Sequence, residues 1–315
     1  MIKYYHIEGT RVELLEKRQH GCWVNISTPY SNEELKHLSE ELHIPIDFLT
    51  DSLDINERSR YELEEGVTLI VINTPHVNEI DPENEALYIT VPIGIVITED
   101  HLVTITAYEN PIIQNILSGK IKRIDTEDHA FFVLRLFEQT VLSYTHSLKK
   151  LNLKRNLIEK ELNDHGKSKE LIGLLSIEKS LVYFVNSLTS NELLKMKIKR
   201  TDLLRIRHNE ELSDLLEDVI IDNSQALEMA NVYTNILRST MQAYASIISN
   251  NINAVMQRLT LITIMLSVPT LVASIFGMNV PNGMETNHYA IFFIISFSIV
   301  LSLLLALFFH KKRLF

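Results

Sequence analysis

The sequence predicts an α+β membrane protein with an N-terminal cytosolic α/β domain, very long stalk helices and a C-terminal transmembrane hairpin of two helices. Three observations support this class. Short β-type runs alternate with helical ones up to residue 124, long helical segments follow, and two uncharged apolar stretches lie near the C-terminus. With 315 residues, of which 46% are hydrophobic, the chain is long enough to bury a sizeable core.

The two apolar stretches are long enough to cross a bilayer. Residues 259–276 give 18 positions without a charge, and residues 289–309 give 21. A hydrocarbon core of roughly 30 Å requires about 20 helical residues. We therefore predict a first membrane helix at 259–276 and a second at 289–309. For the first stretch a buried core helix is the alternative, because it contains Pro269.

Basic residues predict the orientation of this hairpin. Arg258 adjoins the first stretch and a His-Lys-Lys-Arg run follows the second, whereas the loop at 277–288 contains neither Lys nor Arg. The positive-inside rule then places both termini, with the basic tail at 310–315, in the cytosol and the loop outside. We expect a multi-pass protein of the cell (inner) membrane.

Residues 1–124 are predicted to form the α/β domain. Ser31 and Glu34 form a capping box that opens one helix, and Pro45 opens another near Ile46–Leu53. Runs rich in Val, Ile, Thr and Tyr predict strands at Lys3–Ile7, Cys22–Ile26, Val67–Asn73, Ala86–Val91, Gly94–Thr98 and Leu102–Thr106.

Residues 125–208 are predicted to form long paired helices of the cytosolic part. The first helix, capped by Asp125 or Thr126, reaches about Asn163, and the second runs from Lys169 to about Arg205.

A third helix begins near Asn209 and contains no Gly or Pro before Pro269. The stalk at 209–258 should therefore continue without interruption into the membrane, over about 100 Å in all.

Composition argues against several functions. The net charge of −10 disfavours nucleic acid as a partner and suits cations. The single cysteine, Cys22, cannot form an internal disulfide. The sequence contains no Walker A loop, GxGxxG motif, nucleophile elbow or HExxH motif, so we predict neither an enzyme nor a bound cofactor.

A row of polar side chains, the polar row, follows the third helix at alternating steps of three and four residues. This period of 3.5 residues keeps one helix face toward the axis of a supercoiled bundle. Val232 and Met256 interrupt the row, which comprises Gln225, Glu228, Asn235, Ser239, Gln242, Ser246, Ser249, Asn253, Thr260, Thr263, Ser267, Thr270 and Ser274.

Two interpretations of the polar row stay open. Hydroxyl side chains in membrane helices bond their own backbone or assist close helix packing. Alternatively, the row lines a water-filled lumen, which we favour; several copies must then assemble, because one hairpin cannot enclose a channel. Neutral amide and hydroxyl groups suit hydrated Mg²⁺, since this ion gives up its water reluctantly.

The start of the stalk is acidic. Between Asn209 and Gln257 a single basic residue, Arg238, opposes the carboxylates of Glu210, Glu211, Asp214, Glu217, Asp218, Asp222 and Glu228. These side chains form either a solvated face or, where several copies press them together, a sensor for a divalent cation.

Residues 274–279 read Ser-Ile-Phe-Gly-Met-Asn. A Gly-Met-Asn tripeptide at the outer end of the first of two C-terminal spans, followed by a short loop, a second span and a basic tail, resembles the CorA family of magnesium channels. The Trp23–Ile26 strand, the paired helices and the stalk also occur in the order expected. The resemblance implies a homopentameric funnel in the lipid bilayer and passive uptake of Mg²⁺, with Co²⁺ or Ni²⁺ passing as well.

The resemblance also implies roles by position. Asn279 would form the outer ring that selects the hydrated ion, with Gly277 and Met278 shaping the turn that presents it. Met256 and Leu259 would form an apolar constriction that gates by dewetting. With Thr260 added from the polar row, the expected pore lining comprises Asn253, Met256, Leu259, Thr260, Thr263, Ser267, Thr270 and Ser274.

A regulatory metal site is expected beside the stalk. Asp218 matches the family's stalk carboxylate, and Glu217 and Asp222 lie next to it. In the family a residue on the N-terminal domain of the neighbouring subunit completes this site. In this sequence the corresponding position falls near Glu65, or at Gly66. Cytosolic Mg²⁺ bound at such inter-subunit sites would close the channel.

The loop departs from the family pattern. Pro281 and Asn282 stand where acidic residues are common, which leaves Glu285 as the loop's only carboxylate. Ion capture from outside would then be weaker.

Two other functions stay open from the sequence. A zinc transporter of the related branch is one, although the intact Gly-Met-Asn tripeptide argues against it. A membrane-anchored sensor or scaffold without transport is the other, and the polar row argues against it, since an anchor has no need of such a row.

Overall fold

The computed structural model describes residues 1–9, 11–79, 83–121, 123–165, 168–278 and 289–312. Contacts within the chain divide it into two units, Met1–Ser239 and Thr240–Phe315. The boundary between them falls inside one long helix.

A mixed sheet forms the centre of the first unit. Its described strands are β1 (Ile2–Gly9), β2 (Arg11–Leu15), β3 (Trp23–Ile26), β4 (Arg60–Glu64), β5 (Val67–Val77), β6 (Tyr88–Ile97), β7 (Leu102–Ile105) and β8 (Ile124–Asp125). They lie in the order β2-β1-β3-β7-β6-β5-β4, and β8 pairs with β1. Among these strands β3 and β7 run parallel, and the other neighbours are antiparallel.

Helices cover both faces of this sheet. The described helices are α1 (Asn32–Leu42), α2 (Ile46–Asp51), α3 (Pro111–Leu117), α4 (His129–His165), α5 (Ser168–Thr201), α6 (Glu210–Phe276) and α7 (Ala290–Lys311). Leucines of α1 and α2 share one apolar core with Val24, Ile26 and Val103 of the sheet. On the opposite face Trp23 packs against Phe132 of α4, with 5.3 Å between ring centroids. The core therefore consists of two apolar layers with the sheet between them.

The predicted helix starts in the α/β domain are confirmed. The Ser31 hydroxyl accepts from the Glu34 backbone N–H at 3.1 Å, and the Glu34 carboxylate accepts from the Ser31 N–H at 3.0 Å. Both arms of the capping box are thus formed. A short helix follows Pro45 as predicted, although it ends at Asp51.

Strands were predicted less completely than helices. Those at β1, β3, β5 and β7 are confirmed, but the two strands predicted on either side of Pro92 form the single strand β6. Since β7 pairs only with residues 94–97, Pro92 lies beyond its end, where a missing N–H costs no ladder bond with β7. Gly94 is required there, because a Cβ would overlap the Ser52 side chain.

The predicted ends of the paired helices need correction. Asp125 lies in β8 and Thr126 accepts a hydrogen bond from the Ile7 N–H at 3.4 Å, so neither caps α4. Asp128 takes that place, because its carboxylate accepts from the Phe131 N–H at 2.9 Å. The α5 helix ends at Thr201 rather than near Arg205.

The predicted continuity of the third helix is confirmed. Helix α6 runs from Glu210 to Phe276 without a break and contains Pro269. The Asn209 side chain accepts a hydrogen bond from the Leu212 N–H at 3.2 Å and so caps its start.

In the described part of the chain three helices, α5, α6 and α7, are long and apolar enough to cross a membrane by length and composition. Helix α5 instead packs on the sheet. The Ser180 hydroxyl accepts from the Leu87 N–H at 2.8 Å, and the Asn191 amide donates to the Asn73 carbonyl at 2.8 Å. One apolar face of α5, including Leu181, Phe184 and Leu188, therefore belongs to the core of the first unit.

A fully buried lysine joins α5 to α6. Lys195 Nζ donates to the Asn223 Oδ1 atom of α6 at 2.6 Å and lies 5.7 Å from the centroid of the Phe137 ring. The Asn223 Nδ2 atom in turn donates to the Leu188 carbonyl at 3.0 Å. Burial lowers the pKa of Lys195 to about 7, although the nearby Glu192 carboxylate opposes this shift.

Replacing Lys195 by Met should flatten the pH dependence of stability. The pKa of Lys195 is near 10.5 in the unfolded chain and about 7 in the folded one. Between these values the unfolded chain binds more protons, so the contribution of Lys195 to stability rises with pH, by up to about 1.4 kcal/mol per pH unit. We expect the melting temperature of the wild type to rise relative to that of Lys195→Met across this window and to stay parallel to it below the window.

Thermal unfolding of the purified protein in detergent, followed by circular dichroism, provides the measurement. Lys197→Met, which removes an exposed lysine from the same helix, should keep the wild-type profile. Parallel profiles for the wild type and Lys195→Met throughout would show that Lys195 keeps its proton in the folded protein.

Candidate functional site

Helix α6 buries one face in the first unit and leaves the polar row free. The buried face comprises Leu212, Leu216, Val219, Asn223, Ala226, Ala230, Thr234 and Leu237. The first members of the polar row, Gln225, Glu228, Asn235 and Ser239, are exposed. At about 100° per residue they lie roughly opposite the buried face. No described element of the first unit covers the row there.

The predicted pore lining is also exposed in the second unit. Met256 and Leu259 are 56% and 57% exposed, and every other member of the predicted lining is exposed too. Much of the remaining apolar surface of α6 and α7 in this unit is exposed as well. An apolar surface of this extent requires lipid or further subunits.

The hydroxyl groups of the row bond to their own helix. Thr260 donates to the Met256 carbonyl at 2.8 Å and Thr263 to the Leu259 carbonyl at 2.9 Å. Ser267 and Thr270 likewise donate to carbonyls three and four residues earlier. These bonds agree with the backbone-bonding interpretation, yet they also leave each hydroxyl oxygen free to accept a hydrogen bond on the exposed face.

The structure describes only part of the predicted selectivity filter. Helix α6 ends at Phe276, and Gly277 closes its last turn by donating to the Ala273 carbonyl at 2.9 Å. A Cβ at Gly277 would lie 3.1 Å from that carbonyl oxygen, so a larger residue would crowd the turn. Met278 follows and is exposed, whereas Asn279 and Glu285 lie outside the described residues.

The predicted regulatory residues lie on two separate elements. Asp218 and Asp222 are exposed on α6, one helical turn apart, while the Glu217 carboxylate pairs with Lys199 of α5 at 2.9 Å. Glu65 lies at the exposed turn between β4 and β5, with φ 49°. The described residues contain no group of three or more His, Cys, Asp or Glu side chains that could hold a metal ion. The described residues of one chain therefore do not supply enough ligands for a metal site at Asp218, and such a site would need further ligands.

Sequence reasoning missed the Lys195–Asn223 bond. A signal for it exists, because Lys195 lies four residues after Asn191 and seven after Leu188, which are both buried on the same helix face. A basic residue on an otherwise buried helix face predicts a polar partner on the helix that packs against it.

The chain has an α/β domain and then one uninterrupted helix, α6, whose last part is apolar and exposed. A second exposed apolar helix, α7, follows it. This arrangement defines a class of membrane protein. Comparisons with known proteins place the chain within this class. Residues 18–312 match the family described as CorA-like Mg²⁺ transporter protein.

Relatives agree with this match. The cobalt/magnesium transport protein CorA of Methanocaldococcus jannaschii is 30% identical over 265 residues, which cover 82% of this chain and 79% of that protein. The protein of the same name from Thermotoga maritima is 22% identical over 263 residues, which cover 82% and 72%. The complete structure of the M. jannaschii CorA magnesium transporter matches with a TM-score of 0.82 and 23% identity over 99% of this chain and 98% of that one, and so shows the same fold.

The chain belongs to the CorA-like Mg²⁺ transporter family. The predicted resemblance and the predicted fold class are confirmed. Members of this family are membrane transporters of divalent cations, which also confirms that the chain is not an enzyme.

Cysteine accessibility can test which way the polar row faces. Cys22, the chain's single cysteine, is buried, and a Cys22→Ala background removes it. In that background we expect Thr263→Cys and Ser267→Cys to react about tenfold faster with a cationic, water-soluble thiosulfonate than cysteines off the row, because the reactive thiolate forms in water and not in lipid.

Ile262→Cys and Ile275→Cys supply the matched controls, since both lie on α6 about 100° or more from Thr263. Rates are followed by mass spectrometry on the protein in liposomes. Equal rates at all four positions would mean that the row does not face water.

Proposed function

We propose that the chain is a channel that carries Mg²⁺ into the cytosol down its electrochemical gradient, with Co²⁺ and Ni²⁺ passing as well. It acts as a homopentamer in the cell (inner) membrane, with both termini cytosolic. The observation that carries the proposal is the polar row, which stays exposed on α6 from Gln225 to Ser274. Membership of the CorA-like family supports it.

The chemistry of the row suits a hydrated cation. The hydroxyl hydrogens of Thr260, Thr263 and Thr270 are donated to backbone carbonyls, so their oxygens are left as acceptors. Waters bound to Mg²⁺ are donors, and the predicted lining contains no carboxylate that would strip them from the ion. The row thus lets the ion pass with its water shell intact.

Selection and gating are assigned to opposite ends of the membrane helix. The Asn279 amides would accept hydrogen bonds from the water shell at the outer mouth, while exposed Met256 and Leu259 would form an apolar ring that closes by losing water. Inward flow needs no other energy source, because each charge entering a negative interior gains about 2.3 kcal/mol per 100 mV.

Cytosolic Mg²⁺ would close the channel at the stalk. Asp218 and Asp222 are exposed on one face of α6, so neighbouring copies can bring such carboxylates together. A bridging divalent cation would relieve their repulsion and hold the stalks in place. Glu65 would complete the site from an adjacent domain, whereas Glu217 is already paired with Lys199.

Mg²⁺ flux into liposomes that contain the pure protein tests the function. We expect uptake by the wild type and a loss of about tenfold or more in Asn279→Ala, because the ring that accepts hydrogen bonds from the hydrated ion disappears. A fluorescent Mg²⁺ indicator inside the liposomes gives the rate. Asn282→Ala, which removes an amide from the same loop, should retain uptake.

Parallel assays with Zn²⁺ separate the alternatives. Faster flux of Zn²⁺ than of Mg²⁺ would point to the zinc branch. Absence of flux for either ion, with no difference between the wild type and Asn279→Ala, would leave a membrane-anchored sensor or scaffold.

Asp218→Ala should weaken closure by internal Mg²⁺ and spare the pore. We expect the Mg²⁺ concentration that halves flux to rise about fivefold or more, the scale of a coupling free energy between two sites. The measurement is flux into liposomes preloaded with graded Mg²⁺. Glu40→Ala, an exposed carboxylate of α1, should leave closure unchanged; unchanged closure in Asp218→Ala itself would remove Asp218 from the mechanism.

A further inference from the structure

A second site of interest lies in the α/β domain, away from the stalk and the membrane helices. A cavity of about 240 Å³ opens where β3 and β7 end, beside the start of β1 and the helix α3. Strands β3 and β7 are the parallel pair of the described sheet. The crevice outside the carboxyl ends of such strands is where sheets of this kind bind ligands.

The Asn25 side chain lines the cavity, and its amide oxygen is already hydrogen-bonded. The Trp23 indole N–H donates to the Thr104 hydroxyl at 2.8 Å, and that hydroxyl donates to the Asn25 Oδ1 atom at 2.9 Å. The Asn25 side-chain oxygen is thereby used, and its NH₂ group is the end left to line the cavity. Asn25 is only 5% exposed.

The NH₂ group of Asn25 has no hydrogen-bond partner among the described residues. This group is not among the described side-chain atoms that are fully buried without a partner, so it reaches the space of the cavity, where a ligand oxygen can accept from it. In this arrangement the amide oxygen accepts from the Thr104 hydroxyl, a bond that would be lost if the amide turned over.

Other donors converge on the same side of the cavity. The hydroxyls of Thr106 and Tyr5, residues 3% and 8% exposed, also line it and have no partner in the described part of the chain. Burial raises the pKa of the Tyr5 phenol, so this group keeps its proton. Lys3 lies directly opposite Asn25 in the β1–β3 ladder and brings an ammonium group to the same face.

The lining also contains a carboxylate. Glu109 follows β7, on the loop that leads to α3. Neither Glu109 nor Lys3 forms a side-chain ion pair within the described residues. The lining therefore combines several hydrogen-bond donors with one ammonium group and one carboxylate that are not paired with other charged side chains.

We propose that this cavity binds an α-amino acid. The ligand carboxylate accepts hydrogen bonds from Asn25, Thr106 and Lys3, and the ligand ammonium pairs with Glu109. The size agrees, because 240 Å³ is the space of about eight water molecules, below the usual range for drug-sized ligands. The amino acid acts as a ligand of the α/β domain, and the site does not depend on the proposed transport.

Binding is tested on the full-length protein in detergent. Glycine, L-alanine, L-serine and L-glutamate are added singly at millimolar concentration, and thermal shift and titration calorimetry are recorded. We expect at least one of them to bind and to raise the melting temperature. Acetate and methylammonium, which carry one charged group each, should bind at least about tenfold more weakly.

Variants locate the site. Asn25→Asp keeps the oxygen that Thr104 needs but replaces the NH₂ donors by negative charge, and should weaken binding by about tenfold or more. Lys3→Gln and Glu109→Gln change exposed residues, and each should weaken binding even if Asn25→Asp fails to fold. The matched controls are Lys36→Gln on α1 and Glu99→Gln at the other end of β7, which should bind as the wild type does.

Three results would overturn the proposal. One is that none of the four amino acids binds, so that the cavity holds water alone. Another is that acetate binds as tightly as the amino acids do. The third is that Lys3→Gln and Glu109→Gln leave affinity unchanged, which would place binding elsewhere. Binding retained in Asn279→Ala would keep this inference separate from the outcome of the flux experiments.

Discussion

Helix α6 carries the constraint on which the rest of the structure depends, because it must bury one face and keep another free. In the first unit its apolar residues recur at steps of three and four and pack inward, while Gln225 and Asn235 stay outside. The buried apolar residues and the polar row recur with the same period, so each set stays on its own face of α6 over many turns. A proline in the stalk would remove a helix hydrogen bond and kink α6, which would redirect both faces together.

The contact between α5 and α6 is specified by polar groups as well as by apolar area. A stripe of leucine and alanine alone would tolerate a shift along the helix, whereas buried Lys195 requires the oxygen of Asn223 beside it. The bond thus fixes the register of α6 against α5. Its cost is the desolvation of an ammonium group, which makes this contact sensitive to protons near neutral pH.

The α/β domain satisfies its buried polar groups unevenly. Tyr144 and Asn191 reach the carbonyl of Asn73 from α4 and α5 and complete its hydrogen bonding in the middle of the sheet. At the ends of β3 and β7, by contrast, the NH₂ group of Asn25 and the hydroxyl of Thr106 donate to no group among the described residues. Because these donors line a cavity, they are available to the acceptor groups of a ligand.

Features that depend on local chemistry or on a regular period could be predicted from the amino-acid sequence. These are the capping box at Ser31, the unbroken α6, the two apolar spans, the polar row and the Gly-Met-Asn tripeptide. The remaining features became apparent only in the folded chain: the edge strands β2 and β4, Asp128 rather than Asp125 as the cap of α4, and the unpaired amide of Asn25. Strands β2 and β4 pair with their chain neighbours β1 and β5, but they contain few of the β-branched residues that predicted the other strands. The cap and the amide depend on residues far apart in the chain, because β8 pairs with β1 and Thr104 bonds Asn25, and such contacts leave no periodic or nearest-neighbour signal in the sequence.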